Sequence, residues 1–116
     1  SYVPIEEMRA ENSERWQAMV EGRWADYGGE PPDQFRARII PCLDRVIEEN
    51  AGRKVAAVCH GGVINVYLAS LLGIDRHLWF DPEYTSISRV RAARSGPRSV
   101  SSVNESGHLS GRYDVP

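Results

Sequence analysis

The sequence predicts an α/β fold, and three observations carry the prediction. Val55-Ala56-Ala57-Val58-Cys59 is apolar at every position, as in a strand covered on both faces of a parallel sheet. Helical periodicity precedes this run and resumes directly after it. The order helix, buried strand, tight turn, helix is the layout from which α/β domains are assembled. At 116 residues the chain is a single domain or a portion of a larger one. Its 41% hydrophobic and 26% charged content is ordinary for a globular protein.

The elements follow in chain order. After Pro4, Ile5 and Met8 begin a helical spacing that continues through Trp16, Met19, Val20 and Trp24. The break at Asn12-Ser13 divides it into two short helices, with Ser13 placed to cap the second. Gly28-Gly29-Glu30-Pro31-Pro32 is a loop by composition. Asp33 is the expected cap of the strongest helix, whose apolar stripe is Phe35, Ile39, Leu43, Val46 and Ile47. Pro41 inside it removes one backbone hydrogen bond and predicts a kink, and Asn50-Ala51-Gly52 ends it. A further helix runs from Val63 to Leu72 and stops at Gly73. Leu78-Trp79-Phe80 forms an apolar anchor, with core packing the expected role of Trp79 and Phe80. Tyr84 to Arg91 and Ser99 to Val103 read as strands about the turn Ser95-Gly96-Pro97, and Asn104 to Pro116 reads as irregular.

A net charge of −2 makes no electrostatic case for nucleic acid. The longest apolar stretch is too short to span a bilayer, and no signal peptide is visible, although the chain opens at Ser1 without a methionine. Cys42 and Cys59 lack metal-ligand spacing and read as reduced structural thiols, which fits the cytoplasm. Neither a metal nor another cofactor is expected.

The chemistry concentrates at Cys59-His60-Gly61-Gly62. Ligands of open α/β sheets bind beyond the carboxyl ends of the strands, where the pattern places His60. Gly61 and Gly62 carry no side chains to block a ligand from the backbone. The helix behind them directs unpaired N–H groups and a positive dipole end at the same spot, which is the make-up of an anion site. Capping a helix or satisfying a loop carbonyl is the structural alternative for His60. His77 is expected at the surface and His108 as a structural hydrogen-bonder. Cys59 and His60 project to opposite faces of a strand and make no thiol dyad. Arg53 and Lys54 lie at the wrong end of the strand to clamp a substrate, and Arg76 reads as a surface residue.

"VAAVCHGGVINVYLASLLGI" resembles the second-histidine motif of the histidine phosphatase superfamily, the phosphoglycerate mutase-like fold. "PPDQFRARIIPCLDRVIEENAGR" is similar to the helix leading into that strand, and "SSVNESGHL" to the family's last strand. The resemblance runs over roughly residues 31 to 110. It implies a three-layer sandwich with a mostly parallel sheet and helices on both faces, of which residues 1–116 would be the C-terminal part. The family's nucleophile lies in an N-terminal Arg-His-Gly motif, and this chain contains no Arg-His-Gly. The resemblance therefore assigns His60 the assisting role, donating to a phosphoryl oxygen with the Gly61 and Gly62 amides as further donors. A dianionic phosphate favours the protonated, donating imidazole. Glu6 and Glu7 are the nearest candidates for the family's general acid, although first-turn helix residues are the simpler reading.

By that resemblance the intact protein is a metal-independent phosphomonoester hydrolase or a mutase working through a phosphohistidine on a small phosphorylated substrate. This chain alone is expected to be inactive. The alternatives are a non-catalytic phosphate-binding module and a self-associating fragment. In the family a strand pairs beside Val55–Cys59; an unpaired edge there predicts a homodimer or higher assembly.

Overall fold

A computed structural model of the chain describes residues 14–109. Among the described residues the fold consists of three helices and a β-hairpin: α1 (Glu14–Glu21), α2 (Pro32–Glu49), α3 (Gly61–Leu72), β1 (Ile87–Ala92) and β2 (Arg98–Glu105). Short 3-10 turns occupy Trp24–Tyr27 and Gly107–Leu109. Helix and sheet are both present, as an α/β reading requires. The sheet itself differs from expectation: among the described residues it has two strands, paired antiparallel, and no parallel pairing. The helix expected around Ile5 and Met8, and the cap at Ser13, lie outside the described residues.

α1 buries Ala18, and Trp24 donates its indole N–H to the Met19 carbonyl at 2.9 Å, folding the following turn back on the helix. α2 opens on Pro31 at the N-cap position with Pro32 as its first residue, so Asp33 sits in the first turn and is not the cap. Proline suits that position because its fixed φ is already helical and the N–H it lacks would have no partner there. The helix then runs unbroken through Pro41 for 18 residues. It buries Ile39 and half-buries Phe35, Leu43, Val46 and Ile47, the stripe its spacing predicts. Asn50 ends it, donating its side-chain amide to the Val46 carbonyl at 2.8 Å.

The expected buried strand is absent. Residues 54–60 have no regular structure and every one is exposed, with Val58 wholly open to solvent and Val55 half so. The physical reason is that a strand exists only through its partners. An apolar run signals a demand for burial, but no described strand hydrogen-bonds to this one and no layer covers it.

α3 holds most of the core. Asn65, Val66, Tyr67, Leu68 and Ala69 are buried in succession, so the helix is enclosed on all sides along its middle. It begins two residues earlier than the periodicity predicts, with Gly61 and Gly62 as its first residues. It ends as predicted on Gly73, whose φ of 70° is the left-handed conformation that favours glycine.

Two polar ties fasten the other elements to α3. The Asn65 side chain is 1% exposed and has four partners. Its Oδ1 accepts from the Trp79 N–H at 2.7 Å and the Phe80 N–H at 3.0 Å. Its Nδ2 donates to the Phe80 carbonyl at 3.0 Å and the Gly61 carbonyl at 2.9 Å. The Trp79 indole adds a bond to the Asn65 carbonyl at 3.0 Å. In the second tie, Asp44 Oδ1 on α2 accepts from the Tyr67 hydroxyl at 2.8 Å and from Arg98 Nη1 on β2 at 2.6 Å.

The hairpin pairs Val90 with Val100 and Ala92 with Arg98, and Gly96 turns it at a φ of 107°. The strands sit close to their predicted spans, although Asn104 and Glu105 belong to β2 and not to an irregular tail. Irregular register around Arg89 bends the open end. There Asn104 adopts a φ of 57° and its side-chain oxygen accepts from the Glu83 N–H at 2.9 Å.

Asn65→Ala leaves the Trp79 and Phe80 N–H groups and the Phe80 carbonyl without partners. It is expected to destabilise the fold by about 2–4 kcal/mol, measured by urea unfolding. Burial, and secondarily the Asp44 carboxylate, push the Tyr67 phenol up to about 12. The neutral phenol is thus favoured in the folded state over the unfolded one, where tyrosine titrates near ~10. This contribution to stability is complete below that pH and is lost as pH rises through about 12. Tyr67→Phe should flatten that alkaline limb of the stability curve.

Candidate functional site

His60 occupies the N-cap position of α3 with φ −77° and ψ 160°, an extended conformation that turns the chain into the helix. Its carbonyl accepts from the Val63 N–H at 3.1 Å and the Ile64 N–H at 3.3 Å, starting the helical ladder. Its imidazole makes no side-chain cap bond and is exposed, with no partner among the described residues. Gly61 and Gly62 are the first two residues of the helix, where the N–H groups have no intrahelical acceptor. The dipole of a 12-residue helix adds partial positive charge at the same place. An exposed ring nitrogen and two free amides at a helix start can together bind an anion.

The fold does not demand these glycines. Neither has a positive φ. A Cβ on Gly61 would lie 3.5 Å from Pro82 Cδ, and one on Gly62 would lie 3.8 Å from Phe35 Cζ, both ordinary contacts. Gly22 is the contrast. Its φ is +80°, and a Cβ there would come within 2.9 Å of His77 Cδ2.

Among the described residues no other candidate has a hydrogen bond or ion pair to the His60 ring. Glu6 and Glu7 lie outside the described residues. His77 is not a surface residue: it is half-buried, its ring 5.8 Å from that of Trp24. It follows Arg76 but precedes Leu78, so this Arg-His pair lacks the glycine of the nucleophile motif. His108 is the structural hydrogen-bonder expected, with Nε2 2.9 Å from the Thr85 carbonyl oxygen. Trp79 and Phe80 pack on each other with ring centroids 4.5 Å apart, and both backbones are bound to Asn65. Arg53, Lys54 and Arg76 are exposed. Cys42 and Cys59 are free thiols, but both are exposed where packed positions were expected.

Among the described residues no group of His, Cys, Asp or Glu is arranged to hold a metal, and no helix is long and apolar enough to cross a membrane. An open depression of about 410 Å³ lies at the hairpin turn, between Arg91 and Arg98, and none of residues 60–62 lines it. Periodicity and motif reading did not single out Asn65, Asp44 or Arg98. Asn65 had a signal: it is the only strongly polar side chain in the run Val63 to Ala69.

No curated protein and no solved structure matches the chain. The family model of the histidine phosphatase superfamily (branch 1) matches residues 2–105, reaching further towards the N-terminus than the motifs alone. With the match covering nearly the whole sequence, including the His60 turn, the chain belongs to the histidine phosphatase superfamily, branch 1.

Proposed function

We propose that His60, Gly61 and Gly62 bind the phosphoryl group of a phosphomonoester in a phosphatase or mutase reaction that proceeds through a phosphohistidine. The observation that carries this reading is the His60 imidazole, exposed and without a partner among the described residues, next to two helix-start amides that have no intrahelical acceptor. Glycine at both positions is unexplained by packing or backbone conformation, yet side-chain-free positions suit the close approach of a ligand. Family membership supplies the reaction class.

His60 acts here as a donor to a phosphoryl oxygen and offsets the charge that develops there as phosphorus is transferred. The nucleophile is a second histidine, in an Arg-His-Gly motif that these 116 residues lack. Residues 1–116 then form the C-terminal portion of one domain, and the carboxylate protonating the leaving oxygen is Glu6, Glu7 or a residue outside this chain. Hydrolysis is preferred over mutase chemistry, in keeping with the many broad phosphatases among such proteins.

A second reading has its own observation. Val55 and Val58 are exposed on an irregular segment whose backbone has no strand partner among the described residues. Such an edge favours pairing with another copy of the chain.

The isolated chain should bind inorganic phosphate without hydrolysing p-nitrophenyl phosphate, and His60→Gln should weaken binding about tenfold. In a protein that also carries the nucleophilic histidine, the same substitution should lower kcat by about 10²–10³. Hydrolysis by the isolated chain that disappears in His60→Ala would contradict the assisting role. For the second reading, sedimentation should show concentration-dependent association that Val58→Lys abolishes; a monomer at all concentrations would exclude it.

A further inference from the structure

The Gly61–Gly62 peptide carries one of the site's two amide donors, the Gly62 N–H. A trans peptide is planar, so the Gly61 C=O and the Gly62 N–H point in opposite directions, and fixing one fixes the other. The helical ladder of α3 already engages this carbonyl through the Asn65 N–H, but in a first turn begun by two glycines the plane is held less firmly than in mid-helix. Asn65 adds a second donor from inside the protein, its Nδ2 reaching the Gly61 carbonyl at 2.9 Å.

The clamp is itself immobile. The same Nδ2 donates to the Phe80 carbonyl at 3.0 Å, and Oδ1 accepts from Trp79 and Phe80. Rotating the amide by half a turn would set Oδ1 against two carbonyl oxygens and Nδ2 against two N–H donors, so only one orientation satisfies the network. Asn65 is 1% exposed and cannot touch a ligand. Pro82 lies against Gly61 on the segment that follows Phe80, so this segment and the helix start are held together.

We infer that Asn65 is the positioning residue of the phosphate site, orienting the Gly61–Gly62 peptide so that the Gly62 N–H faces the anion beside His60. This rests on the phosphate reading proposed above. The bond to the Gly61 carbonyl also polarises the peptide, strengthening its N–H as a donor.

The test uses the full chain, inorganic phosphate and Asn65→Asp. Aspartate keeps the shape and the acceptor for Trp79 and Phe80, but places an oxygen where Nδ2 donated. The residual dipolar coupling of the Gly62 N–H should change in the free variant, and its phosphate Kd should rise about tenfold while the His60 ring signals still respond at saturation. An unchanged coupling with a wild-type Kd overturns the positioning role. Should the variant fail to fold, the wild-type chain decides the question. A scalar coupling through the hydrogen bond from Asn65 Nδ2 to the Gly61 carbonyl carbon, with a phosphate-induced shift at the Gly62 amide, supports it. Absence of that coupling, or a Gly62 amide that stays still while His60 responds, overturns it. If phosphate moves neither His60 nor the glycine amides, the phosphate reading falls, whereas the couplings in the free chain still judge the Asn65 clamp.

Discussion

The folded arrangement depends first on burying one carboxamide. Asn65 stands in the middle of an apolar helix, and a primary amide there is tolerable only when its hydrogen-bonding capacity is met. It is met entirely by backbone, from Gly61 on one side and from Trp79 and Phe80 on the other. The connection after α3 is therefore drawn back along the helix to the residue four positions after its start. That return brings Pro82 against Gly61 and settles the surroundings of the turn that carries His60.

Asp44 is the second fixed point of the fold. One carboxylate oxygen receives both the Tyr67 phenol and the Arg98 guanidinium, so α2, α3 and β2 meet at a single acceptor. Arg98 is only 19% exposed and also approaches Glu48 at 3.6 Å, while its Nε is buried without a partner. Here the ion pair does more than the surface network around Arg23, whose three carboxylate partners are all well exposed and screened by water. Among the described residues few large apolar side chains are fully buried, so specific polar ties take a larger share in deciding how these elements dock.

Much of this was legible in the chain, and the misses have physical causes. Helical spacing located α2 because one buried face leaves a period in the sequence, whereas α3 was marked by its apolar run and by Gly73, a true helix end. Pro41 lies inside α2, which continues through it as one element. Gly61 and Gly62 read as a loop because glycine is a poor helix former, but the first helical positions ask little of a residue beyond an acceptable φ and ψ. Val55–Cys59 misled in a different way. Its composition states what environment it requires, and composition cannot say whether the neighbour that provides it is present. Asn65 and Arg98 went unnoticed because a tie between distant residues has no period.

The two halves of the candidate site are consequently held by different means. The amide half is fixed from within the described fold: Asn65 holds the Gly61 carbonyl, and the peptide plane carries that constraint to the Gly62 N–H. The imidazole half hangs from residues 54–60, which are irregular, exposed and without a strand partner among the described residues. A strand laid along Val55–Cys59 would satisfy that backbone, cover its valines and fix the direction from which His60 enters the helix. The same pairing would bring another chain segment to the edge where His60 ends. Pairing of the apolar edge and the setting of the His60 backbone would then be coupled, and the proposed site would draw its amides and its imidazole from differently supported parts of the fold.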